Sequence, residues 1–307
     1  MPVNKHIQRI EIPCATGDLL EAVLMLPSRD VPRRLVYIVP LVGAGASQQI
    51  LRFKSMTKRG AALLSFDYRG HGLSSGAFSM RKSLEDSLTV YHWAQNYASD
   101  NGLPLHALAT CYGSLVMLSW FQGGNSVLAA KTLGSVSSLL DLHSIIRVDD
   151  FFPYYEKNGG PLFSGGAQFI EEMQRGTIDV HGKAFRFALR DYLISLFPEL
   201  RVTPDAFEDL EYSRADIQDT LIQFSTMTPL EGAVVPGKIP SLFFFGLHDT
   251  LMKLDSTEGR QNHESRIRTL APHAEIRAAA IDHFGRGQDH DSIIQQLCDF
   301  HEEHETA

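Results

Sequence analysis

Cysteine is scarce in this 307-residue chain: the three present, Cys14, Cys111 and Cys298, lie far apart and show no CxxC spacing. An odd, scattered set excludes a disulfide framework and offers no zinc cluster, and reduced thiols fit a reducing compartment. Long apolar runs are missing as well. The richest, SLFFFGL at 241–247, falls far short of the ~20 residues that span a bilayer, and no charged leader followed by an apolar stretch opens the chain. The expectation is a soluble, cytoplasmic protein with no membrane span. A basic excess is also absent. The formal net charge is −8, and residues 141–232 hold 8 Lys and Arg against 16 Asp and Glu, leaving 20 of each sign elsewhere. Binding a duplex requires a concentrated cationic face, so nucleic acid is not an expected partner.

What is present is a 44% hydrophobic composition in a chain long enough to bury a large core. Apolar runs recur at 7–12, 19–26, 35–39, 61–66, 105–109, 132–136, 241–245 and 274–280, with helical stretches between most of them. This alternation predicts an α/β fold with a mostly parallel, eight-stranded sheet. Runs such as LVYIV are apolar at every position, as strands covered on both faces are. The first two runs share only the CATGD turn and predict an antiparallel hairpin. Between 136 and 241 the rhythm breaks, and helical patterns occupy 167–175, 183–197 and 204–224. The organisation expected is a core of 1–140 and 233–307 with a helical cap inserted at 141–232.

The chemistry concentrates at LHALATCYG, 105–113. An apolar strand runs into a small-x-Cys-x-small turn and a helix begins, the pattern of a nucleophile elbow. Ala109 and Gly113 are small because the nucleophile's backbone is strained and bulk two residues away would meet the neighbouring strand and helix. Cys111 in that position predicts covalent acyl chemistry through a thiolate, favoured by the helix start and a nearby imidazole. Ser114, three residues on, is the competing nucleophile, but it falls in the first helical turn where serine commonly satisfies backbone groups. Cys14 and Cys298 are expected to be structural.

In such folds the acid and the histidine follow the nucleophile in chain order, each after a later strand. SLFFFGLHD delivers Asp249 and AAAIDHFGRG delivers His283, the one histidine of thirteen with this placement. Asp249 would fix the imidazole tautomer and His283 would take and return the proton; Asp282 is the alternative acid. Two backbone donors for an oxyanion are expected at Tyr112, where the helix dipole helps, and at Val42 in the loop after the third strand. DYRGHGLSSG, 67–76, reads as a glycine-dependent turn in which His71 has no chemical role. Arg52, Lys54, Lys58 and Arg59, with Arg33 and Arg34 nearby, form a candidate docking patch for an acidic partner or else a solvated helix face.

The turn at 67–76 resembles the one after the fourth strand of α/β-hydrolases. GLSSGAFSM, SLTVYHW and the elbow, continued by IDVHGKAFRFALRDY and the two later loops, resemble the acyltransferase/thioesterase of luminescence operons, which releases fatty acyl groups from acyl carrier protein. The resemblance puts that family's serine at Cys111, its aspartate at Asp249 and its histidine at His283. It implies an acyl or peptidyl carrier protein as partner and a phosphopantetheine-bound substrate, with no further cofactor and no metal. Cysteine in place of serine is similar to the carrier-to-carrier shuttle acyltransferases of nonribosomal-peptide and polyketide pathways, and dienelactone-type hydrolases also use it. The aromatic side chains of FFPYY and FRFALRDYLISLF are candidates for an acyl pocket wall, or for packing alone. A scaffold or ligand-binding protein on the same fold is the non-catalytic alternative.

Overall fold

The computed structural model describes residues 6–28, 31–43, 45–122, 129–140, 148–196, 222–223, 227–283 and 285–305. Eight strands, β1 (Ile7–Pro13), β2 (Leu19–Met25), β3 (Arg34–Val39), β4 (Ala61–Phe66), β5 (Leu105–Cys111), β6 (Thr132–Ser138), β7 (Ser241–Gly246) and β8 (Glu275–Ala279), form one sheet in the order β1-β2-β4-β3-β5-β6-β7-β8. They coincide with the eight apolar runs of the sequence. The pairs from β4 to β8 are parallel, while β1–β2 and β2–β4 are antiparallel, so the predicted hairpin is there and joins the sheet edge through β2. Strands β3, β4, β6 and β7 are buried at every position, which is why their sequences do not alternate.

The chain divides into two compact units, residues 1–75, 83–140 and 228–307 in one and 76–82 and 141–227 in the other. The first contains the sheet, α1 (Ala46–Phe53), α2 (Met80–Asp100) from Ser83 onward, α3 (Tyr112–Ser119) and two later helices. One face of its core joins Val36, Ile38 and Leu108 from the sheet to Ile50 and Phe53 of α1 and to Leu297 and Cys298 near the C-terminus. Each of these Val, Ile, Leu and Phe side chains contributes about 1.5–3 kcal/mol by leaving water. β3 and β5 are neighbours although β4 lies between them in sequence, so the loops after β3 and β5 leave the sheet at the point where its strand order reverses. That is where open α/β sheets form a crevice.

The remaining helices of the first unit are polar outside. In the helix Thr257–Leu270, only His263, Ile267 and Leu270 are buried, and the Ser256 hydroxyl caps its start by accepting the Gly259 N–H at 3.0 Å. The C-terminal helix His290–Glu303 is tied to the opposite, N-terminal end of the strands. Buried Arg34 pairs with Glu302 at 3.1 Å and Glu305 at 2.6 Å, and the Thr132 hydroxyl bridges His106 Nδ1 and His301 Nδ1 at 2.9 and 2.7 Å. Burial holds His106 down to about 3 and His301 well below its ordinary value, with Arg34 adding to both, so the two rings are neutral in the fold.

The second unit contains α4 (Val148–Lys157), α5 (Gly166–Gln174) and α6 (Lys183–Leu196). α5 and α6 match the sequence pattern; the stretch expected at 204–224 lies outside the described residues except for Ile222 and Gln223. α4 was not legible because Pro153 interrupts it. Its helix is held by aromatic burial: Phe151 and Tyr155 pack with Phe169, Phe185 and Tyr192, and the Phe169 and Phe185 rings stack 6.3 Å apart. The aromatics of FFPYY and FRFALRDY named here therefore serve the unit's own core.

Candidate active site

Cys111 ends β5 and precedes α3 with φ 50° and ψ −123°, a conformation that side-chain-bearing residues rarely adopt. Tight packing holds it. A Cβ on Gly113 would lie 2.4 Å from the Val39 carbonyl oxygen and 2.8 Å from that of Pro40, so only glycine lets α3 start this close to β3. Ala109 is buried between Val39 and Ser135, its register partners. Among the described residues, the other non-glycine positions with positive φ are Ser137, near the C-terminal end of β6, and Lys253, in the loop after β7. Positive-φ side-chain-bearing positions are thus gathered at the C-terminal ends of β5 and β6 and in the loop after β7.

The histidine and acid loops are laced together. Leu247 and His248 donate their N–H groups to the Ala279 and Ile281 carbonyls at 2.9 and 3.1 Å, which sets Asp249 beside His283. His283 Nδ1 lies 2.8 Å from Asp249 Oδ2, and His283 Nε2 lies 2.9 Å from Cys111 Sγ. Asp249 is fully buried, and its Oδ1 accepts the Met252 N–H at 3.0 Å. One imidazole therefore touches both partners, in the orientation a proton relay requires. Burial by itself opposes a charge on the His283 ring. Attraction to the Cys111 sulfur, with the Asp249 hydrogen bond, outweighs it and pushes His283 up to about 10.

The alternatives occupy other places. Asp282 accepts both the backbone N–H and the Nε–H of Arg286 at 2.8 Å and so closes its own loop. Ser114 is buried, with its hydroxyl 2.7 Å from that of Ser135. Cys14 lies 3.9 Å from Asp86 Oδ1 and Cys298 is in the core; burial pushes each up to about 11, with Asp86 adding to it at Cys14 and Arg59 and Arg34 opposing it at Cys298. His71 is buried, with Nδ1 3.4 Å from the Arg69 carbonyl oxygen. Tyr112 opens α3 with its side-chain hydroxyl 2.6 Å from that of Ser83, and Val42 lies in the turn after β3, 39% exposed. Of the basic patch, Lys54 and Lys58 are exposed, Arg59 pairs with Asp299 at 2.6 Å and with Glu302, and Arg52 is half-buried.

Sequence reading missed the residues that brace the loop after β3. Asp67 Oδ1 accepts the Ala46 N–H at 2.6 Å and so caps α1, and the Tyr68 hydroxyl donates to the Pro40 carbonyl at 2.9 Å. A Cβ on Gly72 would lie 2.0 Å from Asp67 Oδ2, which is why the turn carries glycine there. The available signal was a charged residue directly following a wholly buried strand. Among the described residues, no cluster of three or more His, Cys, Asp or Glu is arranged to hold a metal ion, and no helix is long and apolar enough to cross a membrane.

No protein-family model matches the chain, and no curated protein matches its sequence. Solved structures do match. A thermostable carboxyl esterase from Bacillus coagulans, in complex with glycerol, aligns over 98% of this chain and 99% of its own at 14% identity and TM-score 0.64. An esterase from Pyrococcus furiosus aligns over 97% and 90% at 14% identity and TM-score 0.60. A lipase in its open form aligns over 97% and 98% at 15% identity and TM-score 0.60. At such identity the likeness is one of architecture, and with the strand order and parallel pairing it establishes that this chain has the α/β-hydrolase fold.

Proposed function

We propose that this protein is an acyltransferase or thioesterase acting on acyl or aminoacyl thioesters of a carrier protein through an S-acyl-Cys111 intermediate. The observation that carries the reading is the Cys111–His283–Asp249 relay, with contacts of 2.9 and 2.8 Å, on a strained strand-to-helix turn. The Cys111 thiolate attacks the thioester carbonyl carbon, a carbon–sulfur bond forms and the carbonyl π pair moves to oxygen. The N–H groups of Tyr112 and Val42 receive that oxyanion. Its collapse breaks the bond to the pantetheine sulfur, which leaves with the proton from His283 Nε2. The neutral imidazole then takes a proton from the second nucleophile, and attack on the S-acyl group regenerates the thiolate and passes the acyl group on.

Sulfur supports transfer because thioester-to-thioester exchange is nearly isoenergetic, so the acyl group keeps its activation. The resemblance of 72–93 to carrier-dependent enzymes supports the carrier as donor, with phosphopantetheine part of the substrate and Lys54 and Lys58 as the exposed docking cations. Intact-mass measurement after mixing with acyl-carrier and acyl-pantetheine thioesters tests the reading. An adduct of acyl mass on the wild type that vanishes in Cys111→Ala is expected. No adduct and no turnover with any thioester would overturn it and favour the ligand-binding alternative. The esterase and lipase neighbours favour a second reading, hydrolysis of small esters or lactones; turnover of p-nitrophenyl esters with no discharge to a carrier thiol would select it.

A further inference from the structure

Arg52 stands on α1 in the basic patch, yet its side chain reaches the loop that holds His283. A Cβ on Gly285 would lie 2.1 Å from Arg52 Nη2 and 3.3 Å from Val136 Cγ1, so the guanidinium lies against Gly285 beside the end of β6. Val136 pairs in register with Thr110, the residue before Cys111. One turn earlier on the same helix, Gln49 Oε1 accepts the Thr110 hydroxyl at 3.4 Å, so two α1 residues of this face meet the strand ends under the elbow. The arginine is anchored from behind. Its guanidinium carbon lies 5.6 Å from the Phe53 ring centre, and the His290 ring sits between the two segments, Nε2 3.3 Å from the Arg52 carbonyl oxygen and Nδ1 3.1 Å from that of Gly285. Gly285 needs its glycine for φ +67° as well as for the guanidinium, which ties the loop's shape to this cation.

We propose that Arg52 is a positioning residue for the nucleophile: its guanidinium, held against the His283 loop, stabilises the Cys111 thiolate electrostatically. The groups that share this field are His283 and, behind it, Asp249; Asp282 and Arg286 in the same loop; His290 on the C-terminal helix; and Tyr68, whose phenol also feels the sulfur. Burial first pulls Arg52 down, while Asp282 and the sulfur push it back up, to about 10, so it remains a cation at neutral pH. Coulomb attraction between groups in a partly desolvated site is long-ranged enough to act without direct contact. This assigns Arg52 a role other than carrier docking.

The inference rests on Cys111 being the nucleophile, but its test needs no acyl substrate. Cys111 alkylation by iodoacetamide, a neutral reagent, is followed by intact mass across pH in the wild type, Arg52→Gln, Arg52→Met and Arg52→Lys, with Cys111→Ala as the blank. Melting curves identify which neutral variant is folded; Met keeps the aliphatic stem against Phe53. Loss of the charge should move the acid limb of the rate profile up by about one pH unit, a roughly tenfold slower reaction below neutrality, and Lys should restore most of it. An unchanged limb in a folded neutral variant, or a Lys variant shifted as far as Gln, would overturn the proposal. Failure of the acyl-adduct experiment would leave this profile readable, so the two readings fail separately.

Discussion

If Cys111 and His283 form a thiolate–imidazolium pair, replacing the sulfur by a hydroxyl oxygen should discharge the histidine. At the observed 2.9 Å, two unit charges at an effective dielectric of 20 attract by about 6 kcal/mol, equivalent to about four pH units. Burial subtracts from that, and the Asp249 hydrogen bond adds to it, leaving His283 at about 10 against an ordinary value of ~6.5. In Cys111→Ser the sulfur's charge is gone, while burial and the 2.8 Å contact to Asp249 remain. His283 should then titrate near or below its ordinary value. Imidazole NMR of the labelled protein reads this directly, with His283→Gln assigning the resonance among thirteen histidines. An imidazolium persisting to pH 9 in the wild type and lost near neutrality in the serine variant is expected. A wild-type His283 titrating close to 6.5 and indifferent to the serine would refute the ion pair, and with it the claim that the nucleophile rests as a thiolate.

Other expectations follow from the same geometry. His106 and His301 are neutral in the fold and charge when unfolded, so stability should fall as pH drops from ~6.5 toward 3, because the unfolded chain binds more protons there. Near pH 5 the His106 ring should cost about 2 kcal/mol, and urea midpoints at pH 7 and 5 in wild type and a His106→Gln, His301→Gln variant should show the slope flattening. Asp67→Ala removes the cap on α1; about 1 kcal/mol of stability should go, read by denaturant titration, and kcat should fall more than KM rises if the loop after β3 supplies an oxyanion donor. Charge reversal at Lys54 and Lys58 should raise KM for a carrier-bound thioester and leave a small thioester unaffected; equal effects on both would end the docking idea.

Strand positions were legible because the central strands are covered on both faces, and a run such as LVYIV has no other comfortable state in water. Helix Thr257–Leu270 left little trace because it buries three residues only, and α4 was hidden by Pro153. The strand-to-helix turn at Cys111 could be read because steric demand acts on near neighbours: Gly113 must be glycine where its Cβ would meet the Val39 carbonyl. The acid and histidine loops could be read from strand order, since each follows the end of a later strand.

Chain order and local sterics are therefore properties of the sequence, and they were enough for the strands, the elbow and the three side chains gathered around it. What only the tertiary structure decided is which groups meet across long separations: His283 is 172 residues from Cys111, and Arg59 is more than two hundred from the carboxylates of the C-terminal helix. It turned Arg52 inward to Gly285, took Asp282 for Arg286, and made Asp67 a brace for the loop after β3. The reason is that a charged side chain's partner is set by where burial leaves it short of water, and burial is a property of the packed sheet and its loops, which no local window of sequence contains.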